Sequence, residues 1–383
     1  IINFSLADLI GVGSAVPISV RLGEKKEAEA NSIFTSACIM IVVTGLLLGL
    51  AIFFSAPTLI RLMGAEGQLA ELAVQYLRVY SLCSPVTTIV FATDNYLRIC
   101  GRIRTSMVLN IVMSALSAVL EFIFLFVFRW GIWAAALATC TSMFLCALAA
   151  LYPFLRGKMQ LSFTKPKLDW STMKTIVACG SPNFLNNVAG RITSIIMNMI
   201  LLRIGGAAAV SVYGILMFAD GFVQPLLYGM CDSLQPAVGY NWGAGNMKRV
   251  RDIERCCFTA GAVLSVASAA VIFCFPSQIT GLFLQNADSE VVELAVPALK
   301  LFSFAYLIRW FSFATQSYMS AVEKPVPAMM LSVGIAIVFP LAVIILLWPL
   351  GLTGLWLNVP GASLLAAVLA FVVLRRFNRS QPE

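Results

Sequence analysis

Residues Tyr228 to Asn246 read YGMCDSLQPAVGYNWGAGN, an apolar helical stretch that passes through Pro236 into a turn rich in glycine and asparagine. The basic residues Lys248, Arg249 and Arg251 follow at once. Gly13 to Lys26, GSAVPISVRLGEKK, repeats the pattern of apolar helix, proline, glycine turn and basic residues. Pro17 pairs with Pro236 at a separation of 219, and Gly23 with Gly243 at 220. The register continues through Pro57 and Pro276, Gly101 and Val322, and Gly131-Ile132 and Gly351-Leu352. A repeat of this length constrains the architecture more than any single element does.

Composition supplies the class. Hydrophobic residues make up 60% and charged residues 11%, against about 45–50% and about 25% in an ordinary globular chain. The mean hydropathy is +0.90. The apolar runs reach the roughly 20 residues that span a bilayer as helix, so the expected fold is an all-α membrane protein. The chain has no histidine, which excludes histidine catalysis and histidine metal sites. Its ten cysteines lack CxxC spacing and read as small core residues, with no metal site implied. Gly243-Ala244-Gly245 lacks the lysine and spacing of a phosphate loop, so ATP does not drive the protein directly. The net charge of +8 is a matter of membrane topology and implies no nucleic acid.

Eleven spans are predicted, at roughly 3–20, 32–54, 72–97, 106–128, 132–155, 175–202, 208–234, 255–275, 293–321, 327–348 and 353–374. Those above 25 residues imply tilted or bent helices. Of the 26 basic residues, 19 fall on connections of one side, three (Arg61, Arg129, Arg203) on the other, and four (Arg78, Arg191, Lys300, Arg309) within spans. The positive-inside bias makes the first side cytoplasmic. Lys165, Arg379 and the C-terminus are then inside, and Glu66 and Asp288 outside. An even number of spans separates equivalent helices, so the repeats are parallel about an axis along the membrane normal. Residues 1–155 form an N-terminal lobe, 156–171 a basic cytoplasmic linker and 172–383 a C-terminal lobe. The span starting near Lys174 has its expected partner about 50 residues before Ile1. The repeat therefore predicts two six-helix lobes, with the first helix of the first lobe missing here.

Gln235 to Val250, QPAVGYNWGAGNMKRV, resembles the signature that follows the eighth helix of the multidrug and toxic compound extrusion (MATE) transporters. Ala209–Ile215, Ala321–Pro325, Gly351–Trp356 and Gly131–Thr139 fall where that family has similar text, so the resemblance covers the whole chain. It implies two lobes around a central cavity and cation-coupled export of amphipathic, often cationic, organic molecules by alternating access. In its gate and turn motif stand Gln235, Pro236, Tyr240, Asn241 and Gly243, with Asp94 as a gate or a helix cap.

Charge inside a span is costly and marks function by default. Five acids qualify: Asp8, Asp94, Glu121, Asp220 and Asp232. Ser117 and Glu121 lie four residues apart on one helix face. By the resemblance they take the Asn and Asp places of a family helix that binds a cation or proton, and Thr139 matches a threonine facing that site. Phe122 stands where the family has proline, which leaves the expected kink open. The alternative is a structural carboxylate paired with an arginine or hydroxyl. The candidates for a substrate cavity are Asp8, Asp220, Asp232, Gln224, Asn198, Arg309 and Trp310. A structural pair of Asp220 or Asp232 with Arg191 or Arg309 is the competing reading, and Arg309-Trp310-Phe311 puts a cation among aromatic side chains.

Three classes remain. One is an H+- or Na+-coupled antiporter, another a flippase of lipid-linked precursors or polysaccharides, and the third a membrane enzyme or passive channel. Five acids against four bases in the spans argue against a phosphate-bearing flippase substrate, and no catalytic set is clustered. The expected protein is a monomer in the cell (inner or plasma) membrane. It has no cofactor beyond the coupling ion, and its partners are small organic substrates and the lipid bilayer.

Overall fold

The computed structural model describes residues 2–62, 64, 66–166, 169–283 and 289–380. Asp288, expected outside, lies beyond the described residues, as does Lys167 of the linker. Among the described residues the fold is all helix, without a strand. Nine of its helices are long and apolar enough to cross a membrane. The chain divides into two compact units, Ile1–Gly180 and Ser181–Glu383.

The first unit holds α1 (Ile2–Gly23), α2 (Glu27–Leu62), α3 (Gly67–Leu82), α4 (Ser84–Ile99), α5 (Ile103–Phe122) and α6 (Ile132–Leu155). The predicted span at 72–97 is α3 and α4 in series, broken at Cys83. Pro85 explains the break. It sits in the first turn of α4, where its missing N–H would have been unpaired anyway. Gly45 and Gly49 of α2 face this junction. A Cβ on Gly45 would lie 2.9 Å from the Pro85 Cα, so the GxxxG spacing lets two backbones approach closely. After α5 the helix widens into a π-turn, Ile123–Val127. Phe122, in the proline place, is the last residue of α5 before this turn.

α7 (Trp170–Gly243) runs through both units but breaks at Gly206, with φ 63° and ψ −158°, a conformation only glycine takes readily. The break falls between the predicted spans at 175–202 and 208–234. α8 (Met247–Cys274), the short α9 (Pro276–Phe283) and α10 (Ser289–Ala321) follow. α11 (Pro325–Val333) and α12 (Phe339–Leu346) are joined by a second π-turn, Gly334–Val338. Thr193 Oγ1 donates to the Ala336 carbonyl inside that turn at 2.5 Å, satisfying a backbone group in a region without water. α13 (Gly351–Trp356) and α14 (Asn358–Ser380) complete the unit.

Five helices end in one way. At Lys25, Gly101, Gly157, Gly245 and Glu323 the backbone turns to positive φ. Each time the next N–H bonds the carbonyl five residues back, as in Lys26 to Arg21 and Asn246 to Asn241, both at 2.9 Å. This is the Schellman cap. It shows that α7 stays helical to Gly243, so Tyr240 and Asn241 are helical residues and the turn itself is only Ala244–Asn246. The Asn241 amide donates back to Ala237 O at 2.8 Å instead of shaping the turn. It also makes Glu323, one residue past Val322, the counterpart of Gly101. At the α1–α2 turn, hydrogen bonds from Lys26 and then Arg21 hold the Glu24 carboxyl below its ordinary range.

Each unit has its own apolar core. Ile18, Phe34, Ile41, Tyr96 and Phe154 build the first, and Leu201, Leu216, Leu299, Phe302 and Tyr306 the main one of the second. Large apolar side chains also point outward, with Phe54 75% and Ile345 76% exposed, as lipid-facing helix surfaces require.

Candidate functional site

α5 carries a polar stripe at helical spacing, Ser106, Asn110, Ser114, Ser117 and Glu121. At its far end Thr139 Oγ1, from α6, lies 2.7 Å from Glu121 Oε1. Ser117 Oγ donates to the same oxygen at 3.2 Å and lies 3.5 Å from Thr139 Oγ1. The residues expected to share a site therefore meet, within the first unit. Thr139 Oγ1 is also 3.2 Å from the Ala135 carbonyl. A hydroxyl has one proton and two lone pairs. With Glu121 ionised, Thr139 donates to it. With Glu121 protonated, Thr139 accepts and turns its own proton to Ala135. The same heavy-atom positions thus serve both states of the carboxyl. The neighbouring Cys140 hydrogen-bonds Cys83 at the α3–α4 break, which ties the turn bearing Thr139 to α3. Tyr76 of α3 lies within range of the Glu121 charge and stacks on Tyr80 with centroids 6.3 Å apart.

At its near end the stripe holds Asp94. Asn110 Nδ2 donates to Asp94 at 2.8 Å, Ser106 Oγ donates to the same oxygen, and Arg98 forms an ion pair at 2.5 Å. Asp94 is thereby tied by side chains across the α4–α5 turn, and the N-cap of α5 is Arg102, with no side-chain cap hydrogen bond.

In the second unit Asp220 is 6% exposed. Its Oδ1 accepts from Arg309 Nη1 at 2.9 Å and from the Tyr306 hydroxyl at 2.8 Å. Of the two arginines considered as partners, Arg309 takes the role. Its guanidinium lies 5.2 Å from the Phe313 ring centre. The adjacent Trp310 packs elsewhere, donating to Leu307 O at 3.0 Å and meeting Phe258 edge-on. Residues four apart share a helix face whereas neighbours do not. Tyr306 was missed, although its spacing of three from Arg309 puts both on one face of α10.

The remaining candidates scatter. Asn198 donates to Ser194 O on its own helix at 2.9 Å. Gln224 hydrogen-bonds Tyr228, which also meets the Asn186 amide. Gln235 is 3% exposed and reaches Ser317 Oγ at 3.4 Å. Asp8 on α1 and Asp232 on α7 are half-buried, each with a partner of its own. No group of three or more metal-binding side chains occurs among the described residues.

The MatE family profile matches residues 1–123 and 182–346. The chain belongs to the MatE family. It is a multi-pass membrane protein. Over 383 residues it is 26% identical to the multidrug export protein MepA of Staphylococcus aureus (strain NCTC 8325 / PS 47), a match covering 98% of this chain and 83% of that protein. With MepA of Staphylococcus saprophyticus it shares 24% identity over 373 residues, 96% of this chain and 81% of the relative. Among solved structures, an outward-facing multidrug resistance MATE family transporter of the MOP superfamily has the same fold. The TM-score is 0.92 at 21% identity, over 99% of this chain and 85% of the other. A MOP superfamily transporter from Pyrococcus furiosus, described as having a binding pocket of reversed polarity, also scores 0.92, at 22% identity and coverage of 98% and 85%.

Proposed function

We propose that this MatE protein is an antiporter, and not an enzyme, that exports amphipathic, cationic organic molecules by alternating access, driven by uptake of H+ or Na+ at Glu121. The observation that carries the reading is the Ser117–Glu121–Thr139 cluster. A carboxylate among apolar spans is costly, and hydroxyls that suit both protonation states give it a reason to be there. Loading of Glu121 from outside releases substrate, and unloading inside resets the lobe. Ser117 and Thr139 supply the oxygens. The curated relatives named as multidrug export proteins support the substrate class. Asp8, Asp232, Gln224, Asn198 and Trp310 are proposed to face substrate, and Asp94, Gln235 and Pro236 to shape the cytoplasmic gate. The reading also takes the protein as a monomer in the plasma membrane with its C-terminus inside. The lobes are residues 1–155 and 172–383, joined by the linker 156–171.

Export of a cationic dye from proteoliposomes under an imposed pH or sodium gradient tests this. Glu121→Gln keeps the shape but cannot cycle a proton. It is expected to abolish gradient-driven export and to leave dye binding intact, while Glu121→Asp retains activity. Export by Glu121→Gln at the wild-type rate under either gradient would make Glu121 structural and overturn the assignment.

A further inference from the structure

A pocket of about 370 Å³ opens where α8 begins, wholly within the second unit. Its floor is aromatic. Phe377 packs against Trp242 and, edge-on, against Tyr318, in both cases with centroids 5.9 Å apart. Its rim carries Arg251 and Arg255, one helical turn apart on one face. Among the described residues neither guanidinium has an ion-pair partner, whereas Arg21, Arg98 and Arg309 each do. Glu254 lies between them and hydrogen-bonds Tyr318, so the mouth keeps an excess positive charge.

The internal repeat shows what this place is for. α2 begins at Glu27 and α8 at Met247, 220 residues on. In that register five of the six buried residues of α8 fall on buried positions of α2, among them Val250 on Ala30, Cys257 on Ala37, Gly261 on Ile41 and Ala269 on Gly49. Asn31 then matches Arg251, and Thr35 matches Arg255. In the first unit the chain itself fills the groove. Asn31 Oδ1 accepts from Ser162 N at 2.9 Å and Thr35 Oγ1 from Thr164 N at 3.1 Å. Phe163 packs on Phe34 at 4.9 Å, and Leu161 is fully buried. Two side-chain acceptors there receive two peptide donors. In the second unit both acceptors are replaced by cationic donors. Arginine side chains offer a peptide N–H no acceptor at those positions and suit a group that brings acceptor oxygens and negative charge.

We propose that the α8 pocket binds the phosphate of a membrane phospholipid, clasped by Arg251 and Arg255. Arginine suits a phosphate because its fork donates two parallel hydrogen bonds to two oxygens. Basic pockets beside tryptophan and tyrosine at the ends of spanning helices have the chemistry of the membrane interface. The volume exceeds that needed by a bare ion and falls in the range of organic-ligand sites, about 300–1,000 Å³. Phe371, 56% exposed on α14, lies two turns from the pocket residue Asn378 on the same helix face and gives an acyl chain an apolar path. The assignment does not depend on the transport reading.

Native mass spectrometry of the full chain in detergent, delipidated and titrated with phosphatidylglycerol or with uncharged diacylglycerol, tests the site. Wild type is expected to bind one phosphatidylglycerol at least tenfold more tightly than diacylglycerol. Arg251→Gln with Arg255→Gln removes that preference, and each single change weakens it several-fold. Lys248→Gln with Arg249→Gln, the same charge loss at the neighbouring open surface, leaves it intact. Retained preference in the Arg251/Arg255 double or single variants overturns the site, as does equal loss in both double variants, which would mean diffuse surface charge. Displacement of the lipid by soluble glycerol phosphate at equal concentration overturns the lipid assignment in favour of a free phosphate ester.

Discussion

Asp220 and Glu121 both lie on apolar helices, yet their partners differ in charge. Asp220 meets a guanidinium 2.9 Å away, a full opposite charge. Glu121 meets two neutral hydroxyls, at 2.7 and 3.2 Å, which bond the acid as well as its anion. The first arrangement is an ion pair between helices, and the second is a carboxyl held by hydroxyls alone. The pairing of Asp220 gives an expected outcome in stability. Asp220→Asn leaves a buried guanidinium uncompensated, and Arg309→Gln leaves a buried carboxylate to Tyr306 alone. Each is expected to cost about 3–5 kcal/mol, with much of the loss recovered in the double variant, because removing both partners strands no charge. Thermal unfolding of the four proteins as a double-mutant cycle checks this, and additive losses would show that the pair does not couple. At this scale the sequence was legible where spacing was local. Ser117 and Glu121 share a face by rule, and Thr139 came from the family resemblance. Tyr306 joins Asp220 from 86 residues away, a distance that no helical period encodes. The rest of the α5 stripe, Ser106, Asn110 and Ser114, does follow a helical period and was readable, but only the Asp94 contacts show what it binds.

Elements follow the hydrophobic runs closely, and their interruptions follow particular residues. α6 occupies 132–155, as the run of apolar residues between Gly131 and Arg156 requires. Gly206 separates two spans that hydropathy also separates. The α3–α4 break was less legible, because the apolar run continues through Cys83 and only Pro85 marks it. The π-turns were not legible at all. Ile123–Val127 is as apolar as any helix, and no residue in it marks the wider turn. The α3–α4 break leads to an expected outcome for α2. Thr88 Oγ1 would lie 2.8 Å, and the Pro85 Cα 2.9 Å, from a Cβ at Gly45, and backbone cannot give way as a side-chain tip does. Gly45→Ala is expected to push α2 off the junction and destabilise by about 1–3 kcal/mol, the usual range for overpacking. Leu46→Ala, one residue on and 52% exposed, is expected to cost much less. Thermal melting of both variants in detergent measures the difference, and equal melting temperatures would mean that Gly45 is not a contact point.

On the scale of the molecule, the 220-residue repeat organises both units, and the structure gives it backbone content. The Schellman caps at Lys25 and Gly245 stand 220 residues apart, and the repeat survives there although a lysine replaces glycine at positive φ. Side-chain chemistry diverges on this shared backbone. The first unit has its carboxylate among hydroxyls, and the second has an ion pair and an open arginine pocket. Such divergence is invisible to a repeat search, since that search rewards what is kept. The five capped turns also carry the basic residues, with Arg21, Lys25 and Lys26 at one and Lys248, Arg249 and Arg251 at another. Within the first unit, counting helices from α1 puts the α2–α3 connection, with Glu66, at the opposite end from the turn at Lys25, and the segment after α6, with Lys165, at the same end as that turn. The positive-inside bias, 19 basic residues against three, sets the expected orientation of the chain. Lys165 and Glu66 are each exposed, so either can carry a reporter thiol. The exposed native thiols, Cys256 and Cys274, are changed to serine to lower the background. In intact cells an impermeant maleimide is expected to modify Glu66→Cys and leave Lys165→Cys untouched, and permeabilisation should expose both. Labelling of Lys165→Cys before permeabilisation would reverse the orientation.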